Sequence, residues 1–251
     1  MAFRNAYESH EHSCGILELI YGYDSFLDSL SVVADFGCGA GLDAEWWATL
    51  TTRDDPPEPR NYLVYAVDKD ISKVEPSVTA LPNVKVIQAD FEEEFAIPRK
   101  CDLLWTHDAF QYATNPLQTL KYWNQQMNVN GMLIMSMPQN VHYAYNRINT
   151  NSYDGVYYNH NIVNLIYMLA VTGFDCKDAY FYKNVNDPWL YVAVYKTDIA
   201  PMDPKTTSWH NLAELNLIND SAVASLNRHN YVRQEDLVTV WLDKDFYRVK
   251  D

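Results

Sequence analysis

The stretch Val32-Val33-Ala34-Asp35-Phe36-Gly37-Cys38-Gly39-Ala40-Gly41 constrains this chain more than any other: an apolar run ends in an acid, followed by three glycines at alternate positions. The small apolar residues before Asp35 predict a buried parallel strand, and the apolar spacing from Leu42 to Leu50 predicts a helix after it. The glycines therefore fall at a strand-to-helix turn. With no side chains they reach backbone angles closed to other residues and let a ligand lie on the main chain, so the turn reads as a nucleotide-binding loop. The dinucleotide fingerprint G-x-G-x-x-G would need its third glycine at position 42, where the chain has Leu42, whereas D-x-G-x-G-x-G is satisfied in full.

The pattern repeats along the chain. Residues 14–30 carry helical apolar spacing and lead into the first strand. Tyr62 to Asp68 reads as a second strand ending in an acid, after a proline-rich insertion over 51–61. A carboxylate there, beside the glycine loop, is placed to accept hydrogen bonds from both hydroxyls of a ribose, which makes Asp68 the ribose ligand; Asp70 falls later and suits the cap of a short helix near Ile71. Further strands are expected over 84–91, 101–106, 132–137, 174–182 and 189–196, with a turn over 127–131 and helices after Asn115 and over 161–172. Asn115-Pro116-Leu117 is an ordinary helix start. His107 and Asp108 follow the fourth strand, opposite the glycine loop across the switch point, and should border a bound cofactor. The last two strands are joined by a short turn at Asn186-Asp187-Pro188 and must be antiparallel.

With the acidic ends of the second and third strands, the glycine motif resembles that of class I S-adenosylmethionine (SAM) dependent methyltransferases, over about residues 14–198. The resemblance implies an α/β three-layer Rossmann-like sandwich, with a seven-stranded, mostly parallel sheet of order 3-2-1-4-5-7-6 and strand 7 antiparallel. It implies SAM as cofactor and S-adenosylhomocysteine (SAH) as product. It places Asp35, Gly37, Cys38, Gly39 and Gly41 around the methionyl part and the backbone near the ribose, Asp68 and Lys69 at the ribose, Asp90 and Phe91 at the adenine, and His107 at the cofactor's edge. The simpler reading of Asp90 is a helix N-cap with Phe91 in the core. If the methyl acceptor is protonated at working pH a general base is needed, and His107 is the first candidate, with His142 and Tyr143 in the polar, aromatic segment 139–161 behind it. No metal site is expected.

Composition narrows the partners. Net charge is −14, and within residues 1–100, 18 acidic side chains face 8 lysines and arginines, with no basic cluster anywhere to hold phosphates. A small-molecule acceptor is expected first, a protein second and nucleic acid last. No apolar run approaches the ~20 residues that cross a bilayer, no secretory pattern opens the chain, and four scattered cysteines form no C-x-x-C pair, so a cytoplasmic protein with reduced thiols and no membrane partner is expected. Residues 1–199 are read as the methyltransferase domain with its N-terminal helix. Residues 200–251 are read as an extension packed on the core or on a partner, including a second copy of the chain. Two alternatives stand beside methyl transfer: a SAM-binding module without turnover that works as an interaction or structural protein, and another transferase on the same fold, such as an aminopropyl transferase.

Overall fold

The computed structural model describes residues 6–138, 160–183 and 189–239. It begins with helix α1 (Ala6–Tyr21) and a short α2 (Asp24–Asp28), where the sequence predicts one helix over 14–30. Gly22 marks the break. Its N–H reaches back to the Leu19 carbonyl at 3.1 Å, and the chain turns before a new helix starts at Asp24. Strand β1 (Val32–Phe36) is buried along its whole length, as a central strand covered on both faces must be, and α3 (Leu42–Thr49) follows the glycine turn. The proline-rich segment folds back through a bridge between Thr51 and Pro59, and Arg60 then pairs with Asp24 and Asp28.

Strand β2 (Leu63–Asp68), a one-turn α4 (Pro76–Thr79) and β3 (Val84–Gln88) come next. Asp70 caps the 3₁₀ turn Ile71–Lys73, its side chain accepting the Ser72 N–H. β3 stops three residues short of Phe91, and no helix follows Asp90; its Oδ1 accepts the Glu92 N–H at 3.0 Å and bends the chain into a turn. Strand β4 (Cys101–His107) leads to α5 (Pro116–Gln126), where Asn115 Oδ1 accepts the Gln118 N–H and Pro116 sits in the first turn.

The segment expected to turn over 127–131 belongs instead to β5 (Met127–Pro138). Met127 pairs with Cys101 and Met132 with Leu103, so the residues between them bulge out of the ladder. Asn130 takes φ 65°, and a Cβ on Gly131 would lie 2.9 Å from the Asn128 carbonyl oxygen, which explains both residue types there. Helix α6 (Ile162–Val171), β6 (Phe174–Lys183), β7 (Trp189–Lys196), α7 (Trp209–Glu214) and α8 (Asp220–His229) follow.

Among the described residues the strands form one sheet in the order β3-β2-β1-β4-β5-β7-β6. β7 runs antiparallel to both its neighbours and the remaining pairs are parallel, as expected from the sequence. Val33, Leu103, Trp105 and Ile134 pack with Leu17 of α1 and Trp47 of α3 on one face. Phe36, Leu104 and Leu133 pack with Trp123 of α5 and Leu165 of α6 on the other. Leu212, Leu217, Ala222 and Leu226 join this second layer, and the Cys176 N–H bonds the Leu217 carbonyl at 3.0 Å. Burying one leucine is worth about 1.5–3 kcal/mol, so residues beyond 200 cover the outer strand β6 with a firm apolar contact.

Candidate active site

The glycine turn is held by the end of β2. The N–H groups of Gly37 and Cys38 both bond the Val67 carbonyl, at 2.8 and 3.1 Å. Asp68 Oδ2 accepts the Gly39 N–H and its Oδ1 accepts the Asp70 N–H, both at 2.9 Å. Gly37, Gly39 and Gly41 all take positive φ, at 77°, 54° and 80°, yet they serve different ends. A Cβ on Gly37 would lie 2.5 Å from Ala109 Cβ, and one on Gly41 would lie 3.0 Å from Val78 Cγ1, so these two allow close packing. A Cβ on Gly39 would meet nothing within 4 Å. Its face is open to a cleft of about 310 Å³, bordered among others by Asp35, Asp43, His107 and Asp108 and by His10 of α1.

Three carboxylates set the charge of this cleft. Asp35 is 2% exposed and its Oδ2 has no hydrogen-bond partner. Burial first, and then the neighbouring Asp43 and Asp68 carboxylates, hold it well above the usual carboxylate range. Asp43, in the first turn of α3, gathers its partners from elsewhere: Oδ1 accepts from His10 Nδ1 at 2.5 Å and from Ser13 Oγ at 2.6 Å, and Oδ2 from Trp105 Nε1 at 2.8 Å. The hydrogen bond to Asp43 outweighs desolvation and raises the His10 pKa. Helix α1 is thereby tied to the helix that carries the loop.

On the far side of the cleft, His107, Ser136 and Tyr191 stand in register across β4, β5 and β7. His107 is 7% exposed, and its Nδ1 makes a short hydrogen bond with Ser136 Oγ. Its Nε2 lies 3.3 Å from Nδ1 of His12, whose Nε2 is 3.0 Å from the Tyr191 hydroxyl. The Trp189 ring stacks on both imidazoles, with centroids 4.1 Å from His12 and 5.1 Å from His107.

Of the residues picked from the sequence, Asp35, Gly37, Cys38, Gly39 and His107 line the cleft, together with Asp108. Gly41 packs beneath the loop and Asp68 holds it from behind. Lys69 contributes its carbonyl to Gln88 Nε2 at 3.1 Å, Asp90 shapes its own turn, and Phe91 packs edge-on to Trp123 with its ring beside Gly37. His142 and Tyr143 lie outside the described residues. Sequence reading missed His10, His12, Asp43, Lys73, Tyr112, Ser136 and Tyr191. One signal was present: His10 and Ser13 sit at i and i+3 on the stripe of α1 that continues through the buried Leu17 and Ile20, where apolar residues belong.

Residues 34–135 match the family model described as a methyltransferase domain. That span contains the glycine loop, Asp68, Asp90 and His107, and the sheet around it has the order 3-2-1-4-5-7-6 with β7 reversed. Over that span the chain is similar to methyltransferase domains in sequence, and its fold is that of class I SAM-dependent methyltransferases. SAM is the cofactor of the methyltransferases that the chain resembles, and in the cleft the open Gly39 backbone lies near the buried Asp35 side chain.

A curated relative, malonyl-[acyl-carrier protein] O-methyltransferase 2 of Coxiella burnetii, is 28% identical over 107 residues, 43% of this chain and 41% of that protein. The match thus spans about two fifths of the relative's length. Among solved structures, magnesium protoporphyrin IX methyltransferase from Synechocystis PCC 6803 with bound SAH superposes with a TM-score of 0.56 at 14% identity, covering 75% of this chain and 84% of that one. A SAM-dependent methyltransferase from Listeria monocytogenes gives 0.55 at 16% identity, covering 72% and 97%. At such identities the likeness is one of fold. No described helix is long and apolar enough to cross a membrane.

Proposed function

We propose that the chain is an active SAM-dependent methyltransferase whose acceptor is a small molecule with an oxygen nucleophile. The observation that carries this reading is the pairing of the open Gly39 face with the unsatisfied Asp35 oxygen in one cleft. Asp35 would receive the cofactor's ammonium directly or through water, the main chain at Gly37 and Gly39 would lie against its methionyl chain, and Asp68 would bond the ribose hydroxyls. Asp68 already accepts two N–H groups, one per oxygen, and each carboxylate oxygen has a second acceptor site, so a ribose can be held without releasing the loop. Phe91 and Asp90 stand past the end of β3 to flank the adenine.

When bound, SAM supplies a methyl group already activated on a sulfonium. The protein's work is then to fix the acceptor in line with that methyl, and positioning of this kind is worth up to ~7–11 kcal/mol. His107 and Asp108 border the cleft opposite the glycine loop, where an acceptor must approach. The relative that methylates a malonyl oxygen on a carrier protein supports oxygen as the nucleophile, and the acidic charge balance speaks against a nucleic-acid acceptor. The test is a turnover screen with SAM and small alcohols, phenols, carboxylic acids, thiols and amines, read by SAH release. SAH formed with an oxygen acceptor is the expected result. SAM binding without SAH formation across every class would favour a binding module that has lost transfer.

A further inference from the structure

The glycine loop spends its hydrogen-bond donors on its own support. The N–H groups of Gly37 and Cys38 bond the Val67 carbonyl, that of Gly39 bonds Asp68 Oδ2, and that of Gly41 bonds the Cys38 carbonyl at 2.8 Å. The rest of the lining is acidic. Asp35, Asp43 and Asp108 border the cleft, and His10, which borders it too, is bonded to Asp43. A ligand carboxylate that settled among these groups would meet like charge and lose its water without compensation.

One cation stands at the rim. Among the described residues that line the cleft, Lys73 is the only lysine or arginine. It ends the 3₁₀ turn Ile71–Lys73, and its segment is tied to the loop from both sides. Before it, the Asp70 N–H bonds Asp68 Oδ1 at 2.9 Å; after it, the Glu75 N–H bonds the Ala40 carbonyl at 3.0 Å, and Val74 packs beside Gly41. The backbone that carries Lys73 is thus fixed against Gly39 to Gly41, while its side chain is 68% exposed and pairs with Asp70 Oδ2 at 3.3 Å. Asp70 is 46% exposed and also accepts the N–H and the hydroxyl of Ser72, so the pair with Lys73 is weak and screened by water, and an arriving carboxylate can displace it.

We propose that Lys73 recognises the carboxylate at the amino-acid end of the cofactor, and that through it the cleft selects SAM over a donor lacking that group, decarboxylated SAM above all. This rests on the methyltransferase reading above and sharpens its donor specificity. The two charges of the amino-acid end then go to opposite partners: the ammonium to the buried Asp35, and the carboxylate to Lys73 at the rim, where water still hydrates the lysine. Decarboxylated SAM keeps the sulfonium and the amine and lacks only the group that Lys73 holds. Aminopropyl transfer takes that decarboxylated donor, so a cleft that reads the carboxylate is suited to methyl transfer instead.

The test is calorimetric titration of the full chain with SAM and with decarboxylated SAM, for the wild type, Lys73→Met, Lys73→Arg and, as a control for net charge, Lys85→Met at an exposed position of β3. The wild type should bind SAM roughly tenfold tighter than decarboxylated SAM. Lys73→Met should weaken SAM by roughly tenfold and leave decarboxylated SAM within about twofold, while Lys73→Arg keeps SAM within about threefold and Lys85→Met changes neither. SAM affinity unchanged in Lys73→Met, a loss of the same size for both ligands, or an equal loss in Lys85→Met would overturn the role of Lys73 and leave the methyltransferase reading standing. A folded wild type that binds neither ligand would overturn that reading, and the role of Lys73 with it.

Discussion

The two sides of the cleft are built at different ranges along the chain. On the β1 and β2 side, the loop from Gly37 to Gly41, which follows β1, bonds Val67 and Asp68 at the end of the neighbouring β2, one helix and one insertion later in the chain. On the β4, β5 and β7 side, His107 meets Ser136 29 positions away and His12 95 positions away, and His12 meets Tyr191 across 179. The first side is a motif and can be read as a string. The second exists only once α1 has crossed the sheet and β7 has returned beside β5. On the side proposed for SAM, backbone geometry decides the surface; on the other, side chains from four elements do.

The sharpest way to break this contrast is to add one methyl group to the loop. Gly37→Ala drives a Cβ to 2.5 Å from Ala109 in a backbone at φ 77°, and should cost about 3 kcal/mol in urea unfolding, whereas Gly39→Ala meets no atom and should cost only about 1 kcal/mol while still blocking SAM in calorimetry. Equal stability losses would mean that the two glycines do not divide packing and ligand access between them.

A second effect belongs to the layer under α6. His160, stacked on Phe110 at 5.0 Å, has its pKa lowered to about 4 by burial. Since the folded value lies below the ordinary 6.5, the unfolded chain takes the proton first as pH falls. Stability should be whole above pH 6.5 and should drop by about 3 kcal/mol on the way to pH 4, and His160→Phe should flatten that stretch of the curve. Unfolding curves from pH 7 to 4 for both proteins decide it.

Asp68→Ala removes both the hold on the Gly39 N–H and the proposed ribose contact, and should weaken SAM by 10- to 100-fold, about 1.4–2.8 kcal/mol, with the fold intact by circular dichroism. Unchanged affinity would take Asp68 out of the site. The smallest effect is the tie between His10 and Asp43. The His10 pKa is raised, so the pair's contribution is complete below pH 6.5 and is lost as pH rises through the folded value. At this partly exposed site it should amount to about 1 kcal/mol or less, read as the difference between wild type and His10→Asn at pH 6 and pH 9.

Several strands were legible as apolar runs closed by an acid, a glycine or a proline, and the reversal at the end because two strands joined by a short turn run antiparallel, whereas the sheet order followed from the resemblance to class I methyltransferases. The bulge over 128–131 was not: Asn130 and Gly131 signal a positive φ and a close approach, but a turn and a bulge use the same residues. Gly22 was read through as helix for a similar reason, since only the Leu19 contact shows the chain turning there. In the site, Asp35 and the glycines could be found because their chemistry is tied to one strand-to-helix turn. Asp43 could not, because its partners His10, Ser13 and Trp105 come from another helix and another strand.

The most direct measurement is calorimetric titration of the purified, ligand-free full chain with SAM, SAH and NADH in parallel. Saturable binding of SAM and SAH with none of NADH is the predicted result. A folded protein that binds neither of the first two, or that binds NADH instead, would contradict the assignment of the Gly39 cleft to SAM.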